Sequence, residues 1–113
     1  MLTENEMLVI ANKYIAFIGE KAKKEILLYK DEIVKKSYGN IYFYDSKKYI
    51  ETGTFSYRML GNSPFLVEKR TGRVVNFGTA MDDDYYINAY EKGELELSAD
   101  RYWYPDTETF SYE

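Results

Sequence analysis

Three consecutive carboxylates, Asp82-Asp83-Asp84, and the spaced pair Glu94 and Glu96 are the residues whose types and spacing invite chemistry. Oxygen ligands in a row can hold a hard cation, and two carboxylates can share general acid and base work. Neither pattern is complete. Three adjacent acids lack the alternating spacing and turn glycine of a calcium loop, and an acidic helix start accounts for them more simply. Nothing around Glu94 and Glu96 places an acid in an apolar pocket, which a raised catalytic pKa requires. The chain has no histidine and no cysteine. Nucleophilic triads and dyads, imidazole metal sites and thiolate clusters are therefore excluded by inventory. Gly61 to Gly72 lacks phosphate-loop spacing, and its glycines serve turns. The expectation is a protein without catalysis, cofactor or metal.

Binding is the remaining class, and charge distribution bears on it. Net charge is −4, but residues 1–76 carry nine acids against thirteen bases, whereas residues 77–113 carry ten acids against Lys92 and Arg101. The second segment, at −8, repels phosphate and favours a basic protein surface. The alternative reading is that this local excess of acids merely keeps the domain soluble. Aromatics make up 18% of the chain, with 13 tyrosines, and several lie in this acidic third. Tyr85, Tyr86, Tyr102, Trp103 and Tyr104 therefore have two readings. With Asp82, Asp83 and Asp84 they form a partner-binding set, carboxylates guiding and rings anchoring, or they pack the second helix and pin the tail. Nucleic acid and membrane are not expected partners.

A chain of 113 residues fits one domain, residues 1–113, able to bury a core without disulfides. Met1 to Glu6 lacks the basic and apolar regions of a secretory signal, and no run approaches a membrane span, so the cytoplasm is the expected location. Thr3-Glu4-Asn5-Glu6 is a capping box, and Met7, Ile10, Ala11, Tyr14, Ile15 and Ile18 then recur at helical spacing until Gly19. Glu20 to Glu25 is a last helical turn or a connector. Ile26 to Tyr29, with Ile33-Val34 after a charged interruption, suits a first strand with a bulge or polar edge. Ile41-Tyr42-Phe43-Tyr44 predicts a central strand, with Tyr42 and Tyr44 on one face and Phe43 a core candidate on the other.

Asp45-Ser46 predicts a cap for a short helical turn that Gly53 ends. Thr54 to Leu60 takes no assignment. Gly61-Asn62-Ser63-Pro64 predicts a turn that launches a hairpin, Phe65-Leu66-Val67 out and Val74-Val75-Phe77 back, with Gly72 relieving the tip. Tyr85 to Tyr90 predicts a second helix with acids at its positive end and Gly93 as its stop. Glu94-Leu95-Glu96-Leu97 alternates as a candidate edge strand, and Arg101 to Glu113 is an aromatic, acidic tail broken by Pro105.

Four pieces in register carry a family resemblance. They are Tyr38-Gly39-Asn40-Ile41-Tyr42-Phe43-Tyr44-Asp45-Ser46-Lys47-Lys48-Tyr49, Leu60-Gly61-Asn62-Ser63-Pro64, Lys69-Arg70-Thr71-Gly72 and Gly78-Thr79-Ala80. In that order and spacing they resemble the immunity protein 35 (YrhB-like) family over about residues 38–91. Asn40 stands where members commonly carry a tryptophan. The resemblance implies a small bacterial α+β protein that neutralises a cognate polymorphic toxin, papain-like peptidase toxins among them. It also implies a runner-up role, chaperone-like binding of clients in heat stability. No catalytic motif comes with it. The fold expected is α+β: an N-terminal helix, with the second helix near the C-terminal third as a further candidate, covering one face of an antiparallel sheet of four or five strands.

Overall fold

Thr3 opens the first helix as its spacing requires. In the computed structural model, which describes residues 1–111, its hydroxyl accepts from the Glu6 N–H at 3.1 Å while the Glu6 carboxylate accepts from the Thr3 N–H at 2.9 Å. Two N–H groups at this helix start are thereby satisfied. Thr3→Ala is expected to cost about 1 kcal/mol; an unchanged urea midpoint would contradict this helix start. Helix α1 (Glu4–Ala22) runs three residues beyond Gly19 and stops at Lys23, which takes the left-handed φ of 56°. Gly19 is a packing residue, since a Cβ there would lie 2.7 Å from the Lys24 carbonyl oxygen.

The apolar residues between 26 and 34 form two strands and not one. β1 (Ile26–Leu28) and β2 (Val34–Lys36) belong to different sheets. The predicted central strand divides as well, at Phe43, into β3 (Gly39–Tyr42) and β4 (Tyr44–Ser46). The Phe43 carbonyl accepts from the Tyr29 N–H at 2.8 Å, so the chain leaves one sheet there and enters the other. β1 and β4 make a two-stranded sheet. β2, β3, β5 (Phe65–Glu68), β6 (Val74–Asn76), β7 (Tyr102–Tyr104) and β8 (Thr109–Ser111) make a six-stranded antiparallel sheet in that order. This exceeds the four or five strands expected because the aromatic tail is itself a hairpin, turning at Glu108 with φ 53°. Tyr112 and Glu113, the end of that tail, lie outside the described residues. Glu94 to Leu97 is not an edge strand: β7 takes the place beside β6, pairing Trp103 with Val74 and Tyr102 with Val75.

The alternation of side chains sends Tyr42, Phe65, Val67, Val74 and Trp103 to one face, where Met7, Ala11, Tyr14 and Ile15 of α1 cover them. Ile41, Leu66, Val75 and Phe77 face the other way, beneath Tyr86, Ile87 and Tyr90 of helix α3 (Asp83–Glu91). The two helices thus cover opposite faces, and the domain has three layers where one covered face was expected. Phe65 is fully buried and Phe43 only partly. Asn40, buried, donates to the Glu4 carboxylate at 2.6 Å and ties the start of α1 to β3.

Buried phenols give this core an alkaline limit. Burial pushes the Tyr44 hydroxyl up to about 12, against an opposing backbone hydrogen bond from Ser63. Burial likewise holds Tyr14 above the ordinary tyrosine value. The folded state keeps these protons longer than the unfolded chain, whose phenols ionise near pH ~10. The stability they contribute is full below that pH and is lost as pH rises towards about 12 for Tyr44. Urea midpoints should hold from neutral to mildly alkaline pH and then fall steeply. A flat profile through that range would show that these hydroxyls are not buried.

Candidate functional site

The acidic triplet starts α3. Asp82 is the N-cap, its carboxylate accepting from the Tyr85 N–H at 2.9 Å, and Asp83 and Asp84 occupy the first turn. All three are exposed, and Met81 and Tyr85 beside them are 52% and 48% exposed. The helix dipole favours carboxylates at this end. Asp83 is nevertheless held above the usual carboxylate range, first by partial desolvation and then by repulsion from Asp82 and Asp84. A cation docking here would relieve that repulsion.

Tyr86 belongs beneath this surface and not on it. It is 7% exposed, lies parallel to Phe77 at 6.2 Å between ring centroids, and its hydroxyl accepts from the Met81 N–H at 3.3 Å. Its role is to seat the exposed turn against Gly78, where a Cβ would come within 2.9 Å of the Tyr86 hydroxyl. Trp103 is also removed from the binding set. Completely buried, it lies 5.2 Å from the Tyr14 ring and 5.4 Å from Phe17, because its register opposite Val74 points it at α1. Tyr102 points the other way and carries the Arg73 guanidinium 4.0 Å above its ring. Tyr104 lines a groove at the end of the sheet marked by Gly39 and Glu68, whereas α3 begins near the end marked by Tyr42 and Phe65. Of the set predicted from sequence, Asp82, Asp83, Asp84 and Tyr85 form one surface, and Tyr102 and Tyr104 are elsewhere.

That surface continues into a cavity of about 390 Å³, walled by Tyr29, Phe43 and Tyr44 and carrying Glu32, Asp45, Arg58 and Asp83. Asp45 does not cap the next helix. Ser46 does, its hydroxyl accepting from the Tyr49 N–H at 3.1 Å, and Gly53 stops α2 (Lys47–Thr52). The buried Asp45 carboxylate instead accepts from the N–H groups of Ser46 at 2.7 Å and Met59 at 2.8 Å, with Arg58 Nε 3.7 Å away. It therefore fixes the segment returning to β5. On that segment Phe55 and Leu60 are 75% and 95% exposed. Neither exposure is legible from the sequence, because residues 54–60 have no helical or strand period to give their side chains a direction. Among the described residues no group of three or more acids is placed to hold a metal, and no helix is long and apolar enough to cross a membrane.

Fold and surface together define an α+β domain with one acidic, partly apolar end. No family model matches the chain, and no solved structure matches it. A segment of 55 residues, 49% of the chain, is 33% identical to a protein described as "Uncharacterized protein YrhB" from Escherichia coli (strain K12). The match covers 58% of that protein, so the chain spans little more than half of its relative's length.

Proposed function

We propose that this chain is an immunity protein of the immunity protein 35 (YrhB-like) type, which neutralises a cognate bacterial toxin in the cytoplasm by stoichiometric binding. The observation that carries the reading is the exposed pair Met81 and Tyr85 ringed by Asp82, Asp83 and Asp84 on a capped helix start. Carboxylates on a rim accelerate encounter with a basic surface, while a half-exposed tyrosine supplies contact area at small entropic cost. The likeness to YrhB supports the family side of the proposal. The family resemblance over about residues 38–91 puts papain-like peptidases among the toxins it would meet, inhibited by binding and not by reaction.

A second reading, chaperone-like client binding, draws on Phe55 and Leu60, whose exposure gives unfolded chains an apolar loop to meet. Stoichiometry separates the two. Mixed with the purified toxin encoded beside its gene, the chain should form a single one-to-one complex by native mass spectrometry, and toxin activity should vanish at equivalence. Suppressed aggregation of several unrelated heated proteins, with no such complex, would favour the client binder and overturn the immunity reading.

A further inference from the structure

We infer that the end of the sheet remote from the acidic turn is a second docking site, a groove that takes a short acidic segment of a protein partner. The groove, of about 710 Å³, lies between the tip of the β5–β6 hairpin and the C-terminal turn of α3. Its floor is already neutralised. Glu68 receives both Arg73 Nε at 2.6 Å and Arg73 Nη2 at 3.0 Å, and the Tyr90 hydroxyl donates to it at 2.5 Å. Burial, reinforced by that bond, holds the Tyr90 phenol above its ordinary value and keeps it a donor. A carboxylate so occupied offers little repulsion to an incoming anion, and Arg73 is spent on Glu68 and on Tyr102.

The cations left over are Lys69 and Arg70, whose side chains have no hydrogen-bond or ion-pair partner among the described residues. They stand on a tip that is fixed in advance. The Lys69 N–H donates to the Tyr38 carbonyl at 2.8 Å, and the Lys69 carbonyl accepts from the Leu2 N–H at 2.9 Å. Gly72, at φ 81°, presses so close to α1 that a Cβ would lie 2.7 Å from Ile10 Cδ1. A rigid tip loses little entropy when a ligand engages it. Beside the cations the rings of Tyr38 and Tyr90, 5.0 Å apart, provide a face for an apolar side chain. The chemistry called for is a carboxylate-rich segment with an aromatic or aliphatic residue in it.

Charge selects the class of partner. Two free cations match a few carboxylates, whereas a nucleic acid would have to run its phosphates past the Glu91 carboxylate that Tyr38 holds at the wall of the groove. The site is independent of the acidic end. The probe is an acetylated glutamate-rich hexapeptide with one central phenylalanine, titrated into the full chain at low salt and followed by backbone amide shifts. We expect shifts clustered at residues 38, 69, 70 and 90, about tenfold weaker binding for the Lys69→Gln, Arg70→Gln double variant, and none for the glutamine counterpart of the peptide. Both substitutions are on the surface of the tip, and unaltered melting will verify the fold. The Asp82, Asp83 and Asp84 to Asn variant should bind the peptide as the parent does. Absence of binding, equal binding of the neutral peptide, equal binding by the double variant, or preference for a short single-stranded RNA would each overturn the inference.

Discussion

Trp103→Ala is expected to cost about 3–5 kcal/mol, the largest loss of any truncation in this domain. Total stability for a domain of this size is about 5–15 kcal/mol, so much of the variant population should unfold on modest heating. The reason is position. Trp103 is fully buried where β6, β7 and α1 meet, its ring packed between Tyr14 and Phe17, so truncation leaves a cavity in the core. Its indole N–H has no acceptor among the described residues, so Trp103→Phe, which keeps a ring and deletes that donor, should cost clearly less. The chain has one tryptophan, which makes the check direct: blue-shifted native emission, red-shifting on denaturation at a midpoint that the truncation of Tyr14 also lowers. Solvent-exposed emission from the native protein, or a Trp103→Ala variant with an unchanged midpoint by circular dichroism, would refute this placement.

Gly39→Ala is the second large effect. A Cβ at Gly39 would stand 2.1 Å from the Val67 carbonyl oxygen and 3.1 Å from Glu68 Cα, both backbone atoms of the strand it pairs with. Backbone cannot swing aside as a side chain can, so β3 and β5 must separate at this end of their ladder, at a cost of about 3 kcal/mol or more. Gly61 makes the contrast. Its φ is 75°, but nothing lies within 4 Å of an added Cβ, and Gly61→Val should cost about 1–2 kcal/mol from backbone strain alone. Guanidinium titrations of the two variants should preserve that order. A Gly39→Ala protein as stable as Gly61→Val would mean that the β3–β5 pairing is wrong.

The contrast also marks what was legible in the sequence. Features decided within a few residues were readable: the Thr3 and Glu6 box, the Ser46 cap with its Gly53 stop, the hairpin from Phe65 to Asn76, and the acidic start of α3. Features decided by distant partners were not. Ile41 to Tyr44 has unbroken strand propensity, and only the bond between Phe43 and Tyr29 shows that it serves two sheets. The tail hid its strand because Asp100, Asp106 and Glu108 surround the alternating Tyr102, Trp103 and Tyr104, and the alternation acquires a direction only from pairing with Val74 and Val75. The candidate site divides the same way. Asp82, Asp83, Asp84 and Tyr85 are together because one helix turn holds them, whereas burial of Trp103 and Tyr86 depends on α1 and Phe77.

The most direct measurement of the binding account is the association kinetics of folded variants with the purified cognate toxin across a range of salt. Asp82, Asp83 and Asp84 changed together to Asn keep the cap, since Asn serves there as well as Asp, and remove only charge. Association should slow about tenfold at low salt and its salt dependence should flatten, with dissociation little changed. Tyr85→Ala should do the reverse, raising the dissociation rate by about thirtyfold, equivalent to roughly 2 kcal/mol, at a nearly constant association rate. Unaltered kinetics in both variants, with melting temperatures confirming that they are folded, would contradict the claim that this acidic end meets the toxin.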